Sequence, residues 1–364
     1  MKIAAIINNL GSGGAERLIV DLARSFSVLP EVTFDVILLA RKGSVHIEAL
    51  EREGVHVIAL SEASSRFNPL FLFQLTKRLK TYDLVHAHLF PTQYWVVLAS
   101  MFLPKLKLVV TTHNDTNRRM RRPYRLVERF MWSRYDSVIA ISERARVALL
   151  DWLPELASRT VVIENGVDTS RFRTAQMVSR SSLGFSDGDY LVQMTARFSY
   201  EKDHETLFKA MAILPRKYKL ILLGEGSGID EAKALCEQLG LSSRVLFAGY
   251  REDVPEVIKA CDVSVLSSHT EGFGLVVIES LAAGVPFVGS QIEALQEVGG
   301  DAVLLYPPGD AMRLAEHIRT ICEDRETRER MIRRGFERAQ NFTIERMAAR
   351  HMDLYTGLCR EVGV

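Results

Sequence analysis

Cysteine is scarce in this chain. Four residues of 364, Cys236, Cys261, Cys322 and Cys359, are scattered, and none forms a Cys-x-x-Cys pair. That excludes a disulfide scaffold and a thiolate metal knuckle, and fits reduced thiols in the cytosol. A bilayer-spanning run is also missing. The longest stretch free of charged and histidine side chains, residues 89–104, has 16 residues and is interrupted by Pro91, Thr92, Gln93 and Ser100. It fits a buried helix. The opening MKIAAIINNL is too short and too soon polar for a secretory signal, and reads as a first strand. Charge of one sign is lacking too. Lys and Arg number 46 against 45 Asp and Glu, so the chain-wide excess that nucleic-acid binding draws on is absent. The balance is uneven, however. Residues 1–170 carry 22 basic against 17 acidic side chains and the remainder 24 against 28, which points to different partners for the two halves.

What is present is a repeated alternation. Short apolar, β-branched runs at 2–8, 34–40, 55–60, 83–87, 108–112 and 137–141 read as strands. Helix-length segments such as 15–26, 69–80 and 91–103 separate them. Strands apolar on both faces imply a parallel sheet covered by helices, a Rossmann-like domain. The alternation pauses over 164–187, which reads as a linker. It resumes with strands at 190–195, 220–223, 245–247, 263–266, 286–288 and 302–305. A helical stretch at 310–338, broken near Asp324, and an amphipathic helix at 343–360 follow. The expectation is an α/β chain of two Rossmann-like domains, 1–170 and 171–342, facing across a cleft, with 343–364 returning to the first. Ligands in such sheets bind beyond the carboxyl ends of the strands.

Several residue sets fall at those ends. Glu271-Gly272-Phe273-Gly274-Leu275 precedes Glu279, with a helix expected from about Phe273. The N–H groups of Gly274 and Leu275 are then free donors at a helix start, which suits a phosphate. Glu271 and Glu279 are eight residues apart, roughly 12 Å if helical. That is too far for a pair flanking one glycosidic bond. It suits two carboxylates holding the hydroxyls at opposite ends of an elongated ligand such as a nucleotide sugar. Arg197 and Lys202 follow a strand and could neutralise a diphosphate. The loop at residues 11–16 carries Gly13 and Gly14. It departs from a dinucleotide fingerprint, because Glu16 stands at the third glycine position and Arg41 where an acid is preferred. His86, His88 and His113 lie at strand ends. Metal ligation is one reading, and structural histidines with His113 alone facing the ligand is the other. Residues 117–134 hold seven arginines, including Arg118, Arg119, Arg121 and Arg122, interleaved with aromatic and aliphatic side chains. Such a helix suits an anionic membrane surface, against the plainer alternative of a solvated helix with an apolar core face.

These motifs together resemble glycosyltransferase family 4. The residues that carry the resemblance are Gly-Gly-Ala-Glu at 13–16, His-Ala-His at 86–88 and Val-Ile-Glu-Asn-Gly-Val-Asp at 162–168. Arg197 with Glu201-Lys202, Leu-Gly-Glu-Gly-Ser at 223–227 and the Glu271–Glu279 spacing complete the set. The opening is similar to enzymes that build bacterial surface polysaccharides or lipid-linked oligosaccharides. The resemblance implies the GT-B fold and retaining, metal-independent transfer from a nucleotide sugar, a UDP-sugar first, to a glycan or lipid-linked acceptor. It implies an enzyme without a bound cofactor, on the cytoplasmic face of the membrane, with no nucleic-acid partner. By the same resemblance Arg197 and Lys202 hold the diphosphate, Glu271 the donor sugar and Glu279 the ribose. His113 serves the transferred sugar, Gly13 and Gly14 lie by the phosphates, and the backbone at Gly249 and Tyr250 reads the base. Asp187-Gly-Asp189 matches the metal-binding Asp-x-Asp of other glycosyltransferases, but its place in the linker makes it a turn. A GT-B sugar-nucleotide epimerase and a non-catalytic, membrane-recruited binding protein stand as alternatives.

Overall fold

The computed structural model describes residues 1–11, 13–63, 66–113 and 122–360. The chain divides into two compact units, Met1–Gly166 with Ile344–Val364, and Val167–Thr343. The first holds β1 (Lys2–Ile7), β2 (Thr33–Leu38), β3 (Val57–Ala59), β4 (Leu84–His88), β5 (Lys107–Thr112), β6 (Ser137–Ala140) and β7 (Thr160–Val162). They form one sheet in the order β3-β2-β1-β4-β5-β6-β7, with every pair parallel. The second unit holds β8 (Tyr190–Thr195), β9 (Tyr218–Leu223), β10 (Val245–Gly249), β11 (Val263–Leu266), β12 (Phe287–Ser290) and β13 (Leu304–Tyr306). Its order is β10-β9-β8-β11-β12-β13, again all parallel. Parallel pairing needs a crossover between strands, and the helices supply it. They also cover both faces of the sheet, which is why β1 is buried over Ile3–Ile7.

Each sheet reverses its order once, next to β1 in the first unit and next to β8 in the second. At such a point the loops after two neighbouring strands run to opposite sides and leave a crevice at the carboxyl ends. In the second unit those loops are 196–203 and 267–274. In the first they follow β1 and β4, and Asn8 joins them. Its Nδ2 donates to the Phe90 carbonyl at 2.9 Å, and its Oδ1 accepts from Thr92 Oγ1 at 2.9 Å.

The last helix, Ile344–Arg360, packs within the first unit. Its buried residues Met347, His351 and Tyr355 recur every four positions, one stripe of a helix. The stripe meets the helix Gly14–Ser27 and the face of the sheet that carries Leu84 and Val109. It also brings the Tyr355 hydroxyl to His86 of β4, opposite the hydroxyl of Thr111 on β5. His86 Nδ1 and Tyr355 Oη are 2.7 Å apart, and His86 Nε2 and Thr111 Oγ1 are also 2.7 Å apart.

Several expectations need correction. The stretch 164–187 is not a bare linker. It holds the helix Thr169–Thr174 and a 3-10 turn at Arg180–Leu183, and Val167 is hydrogen-bonded to Phe342 in the second unit. Asp168 caps the helix by accepting from the Arg171 N–H at 2.9 Å. The chain passes between units at 166/167 and 343/344. The edge strand β7 was not expected, although residues 160–163 are all β-branched; it is only three residues long, half-buried or exposed. The 310–338 stretch is indeed two helices, Ala311–Glu323 and Arg325–Ala339, and Asp324 caps the second through the Glu326 and Thr327 N–H groups. Asp187 and Asp189 form a turn, in which the Ser186 N–H donates to Asp189 Oδ2 at 2.9 Å. The thiols of Cys236 and Cys261 are buried, those of Cys322 and Cys359 partly so, and all four are free.

Burial holds four histidines of the first unit neutral. It depresses His86 and His88 well below 6.5, His113 to about 3 and His351 to about 4, and neighbouring imidazoles add to the effect in each of the first three. Each folded value lies under the unfolded one, so the unfolded chain binds protons that the folded chain refuses. The stability these groups contribute is complete above pH 6.5 and is lost as pH falls toward 3–4. The free energy of unfolding should be level from pH 8 to 7 and decline below 6.5 by up to ~1.4 kcal/mol per histidine per pH unit, and apparent Tm should fall with it. An unchanged Tm down to pH 4.5 would contradict this account of the core.

Candidate active site

In the second unit three loops meet beyond the strand ends. The loop after β8 contains Arg197, Phe198 and Lys202. The Phe198 N–H donates to the Glu225 carbonyl at 3.1 Å, and its carbonyl accepts from the Gly228 N–H at 3.1 Å. The Gly224 N–H donates to the Gly249 carbonyl at 2.8 Å. Loops after β8, β9 and β10 are thus stacked. Glycine is required where they touch. A Cβ on Gly224, whose φ is +132°, would lie 2.2 Å from the Ala196 carbonyl oxygen. One on Gly226 would lie 2.3 Å from that of Phe198. No rotamer change relieves a clash with backbone.

The loop after β11 is tied to the loop after β8. Ser267 Oγ donates to the Asp203 carbonyl at 2.9 Å, and the His269 N–H donates to the Glu201 carbonyl at 2.8 Å. Asp203 takes a left-handed conformation, φ 44°, and caps the helix His204–Ile213 through the Thr206 N–H. That sharp turn places Lys202 against Glu271. Their ammonium and carboxylate form an ion pair, and Ser268 Oγ donates to the same Glu271 oxygen at 2.7 Å. The pair is mostly shielded, with 17% and 11% of the two side chains exposed. Arg197 is exposed and makes no side-chain hydrogen bond or ion pair among the described residues.

The expected helix start moves by two residues. The helix runs Leu275–Ala282, with Gly274 as its N-cap at φ 92° and no side-chain cap. The cap glycine has little space. A Cβ there would lie 2.8 Å from Leu295 Cδ2. Phe273 is buried instead of leading the helix, and packs edge-on against Phe342 at 5.8 Å. The N–H groups of Leu275 and Val276 lack both an intrahelical acceptor and a side-chain cap, whereas that of Val277 donates to the Gly274 carbonyl at 3.0 Å. Glu279 lies on the helix, 4% exposed and already engaged within the protein. Gly249 has φ 65°, and Tyr250 beside it is 67% exposed. The structure thus gathers Arg197, Lys202, Glu271, Gly272, Gly274, Leu275, Gly249 and Tyr250 at one end of one sheet. Ser268 was not singled out from the sequence, although it stands three residues before Glu271.

In the first unit Gly13 caps the helix Gly14–Ser27, again without a side-chain bond. His113 follows β5, half-buried, with its Nε2 3.1 Å from His88 Nδ1. No group of three or more His, Cys, Asp and Glu side chains is arranged to hold a metal among the described residues. Arg118, Arg119 and Arg121 lie outside the described residues, as does the side chain of Arg122. The helix that follows them, Arg125–Trp132, turns Trp132 and part of Met131 to the core but leaves other apolar side chains outside. Its buried side chains are Glu128 and Trp132, which are bonded at 2.7 Å, while Leu126, Val127 and Phe130 are 78%, 49% and 49% exposed. A cavity of 740 Å³ lies elsewhere, at the amino ends of β1, β4 and β5, where Met1, Asp83, Lys107 and Cys359 line it.

Two parallel sheets with a glycine-lined, cation-bearing strand edge define a GT-B protein. Residues 12–171 match the Glycosyltransferase Family 4 domain and residues 176–338 the Glycosyl transferases group 1 domain. The chain belongs to this glycosyltransferase family. It is 37% identical over 194 residues to the lipopolysaccharide core biosynthesis glycosyltransferase LpsE of Rhizobium meliloti, covering 53% of this chain and 55% of that one. It is 28% identical over 280 residues to the lipopolysaccharide core biosynthesis mannosyltransferase LpsB of the same organism, covering 73% and 76%. In fold it is similar to Anabaena HepE in complex with UDP and glucose, with a TM-score of 0.86, 24% identity and coverage of 98% and 100%.

The stacked glycines give a direct test. Gly226→Ala should lower the apparent Tm, because the Phe198 loop must shift to admit the methyl group. Thermal unfolding checks it, and an unchanged Tm would mean that the loop stack yields at this point without cost.

Proposed function

We propose that this chain is a retaining glycosyltransferase that moves a sugar from a UDP-sugar to a glycan or lipid-linked acceptor in bacterial surface polysaccharide assembly. The observation that carries the reading is the Lys202–Glu271 pair, buttressed by Ser268 beside the uncapped start of the helix Leu275–Ala282. Arg197 and Lys202 neutralise the diphosphate and stabilise it as the leaving group. The free N–H groups at Gly274 and Leu275 add the dipolar attraction of a helix start. Glu271 accepts from hydroxyls of the donor sugar, Glu279 holds the ribose, and the backbone at Gly249 and Tyr250 meets the base. His113 serves the transferred sugar, and Gly13 and Gly14 the phosphates. The chemistry needs no metal in this reading, because two cations and a helix start take the charge. Relatives named for lipopolysaccharide core biosynthesis support the pathway, and the UDP complex of HepE supports the base. The mannosyltransferase LpsB makes GDP-mannose the donor to test against it.

The enzyme works at the cytoplasmic face of the membrane. The exposed Leu126, Val127 and Phe130, on a helix whose polar Glu128 is buried, support insertion into the headgroup layer. Arg118, Arg119, Arg121 and Arg122 supply attraction to anionic lipid.

A panel of nucleotide sugars scored by thermal shift should single out a UDP-sugar, since bound ligand raises apparent stability. With that donor, Lys202→Ala and Glu271→Ala should remain folded and lose transfer by at least about a hundredfold, as expected when charge stabilisation of a leaving group is removed. Wild-type turnover in both variants would sink the site. An isomerised donor without glycan product would make the protein an epimerase. For the membrane, replacing Leu126 and Phe130 by Ser should reduce co-sedimentation with phosphatidylglycerol vesicles at low salt. Equal binding by the variant would leave that helix a solvated surface.

A further inference from the structure

The histidines of the first unit have unequal partners. His86 is engaged at both ring nitrogens, by the hydroxyls of Tyr355 and Thr111. His88 is fully buried and engaged at one. Its Nδ1 lies 3.1 Å from His113 Nε2, while its Nε2 has no hydrogen-bond partner among the described residues. The rings form a row. Centroids of His86 and His88 are 4.0 Å apart, and those of His88 and His113 are 5.3 Å apart. Residues 86 and 88 share one face of β4 and pair with β5 in register, His86 with Val109 and His88 with Thr111. The row is therefore set by the sheet.

A neutral imidazole has one N–H and one lone pair. Between His88 and His113, both neutral, one ring must donate and the other accept. If His113 donated from Nε2, the proton of His88 would sit on its own Nε2, a buried donor with no acceptor among the described residues. If His88 donates from Nδ1, its Nε2 is left as an unused acceptor. Buried donors without partners are the rarer and costlier state. His86 cannot take the extra bond, because both its nitrogens are occupied.

We propose that His88 is a positioning residue that holds His113 in the Nδ1–H tautomer, so that His113 presents a hydrogen-bond donor, and not a lone pair, to an oxygen of the transferred sugar. The inference rests on the assignment of His113 to that sugar. Tyr355 and Thr111 fix the His86 ring on which His88 stacks, so the last helix is the outer end of the support. The same wiring explains why a second buried histidine follows the first on β4 at a spacing of two. His86 anchors the row and His88 orients the ring at its end.

The test has a spectroscopic arm and a kinetic arm, both on the full chain. Nitrogen-15 histidine spectra of the ligand-free protein, with His113 assigned by loss of its signals in His113→Gln, should show a protonated Nδ1 and an unprotonated Nε2. His88→Asn keeps an amide donor near the place of Nδ1. It should retain the tautomer, and kcat within about threefold. His88→Leu should lose the tautomer preference and lower kcat at least roughly tenfold with little change in the KM of the donor, as expected for one misoriented hydrogen bond in the transition state. An Nε2-protonated His113 in the wild type overturns the proposal, and that reading stands even if His88→Leu does not fold. Equal kcat in the Asn and Leu variants overturns it as well. Full activity of His113→Gln beside the Nδ1–H tautomer would remove the sugar from the role of His113 while leaving the tautomer assignment in place.

Discussion

The ammonium of Lys202 and the carboxylate of Glu271 meet because β8 and β11 are neighbours in space although 67 residues separate their ends. Their loops leave the sheet side by side. The left-handed turn at Asp203 then directs one back toward the other. An ion pair this shielded needs further hydrogen bonds to offset its desolvation. Ser268 supplies one to Glu271, and Ser267 ties down the backbone beneath Lys202. With the pair in place, an opposite charge waits beside each group.

The neighbouring loops are shaped by that arrangement. Gly224 and Gly226 let the loop after β9 rest on the backbone after β8. Gly274 lets the helix after β11 begin without a side chain over its first N–H groups. Side chains are withheld where the loops touch and where the helix begins, and the charges of Lys202 and Glu271 stand beside them. In the first unit the logic is different. There a row of neutral histidines replaces charge, and hydrophobic burial holds it neutral.

Much of this was legible in the sequence, and the misses have physical causes. Strands buried on both faces announce themselves by unbroken apolar runs, so the parallel α/β reading followed from β1 and β9 directly. Edge strand β7, three residues long and paired on one side only, was missed although Val161, Val162 and Ile163 are apolar. The helix Thr169–Thr174 inside the expected linker is too short to show a period. The Glu271–Glu279 spacing singled out the candidate site, but the start of the helix slipped, because Phe273 is held by Phe342 and the turn is made by Gly274. Partners far apart in sequence were invisible. Nothing near His86 signals Tyr355, 269 residues away, and Asn8 gives no hint of Phe90 and Thr92. Periodicity reports which face is buried, not what it is buried against.

The central claim is that the loops at the carboxyl ends of β8, β9, β10 and β11 hold the donor's nucleotide diphosphate. Hydrogen–deuterium exchange with and without UDP tests it segment by segment. The account predicts slowed amide exchange in residues 196–203, 224–228, 249–251 and 267–276, with no change at the opposite strand ends. UDP binding that left these segments unprotected, or protected the cavity near Met1 and Cys359 instead, would contradict it.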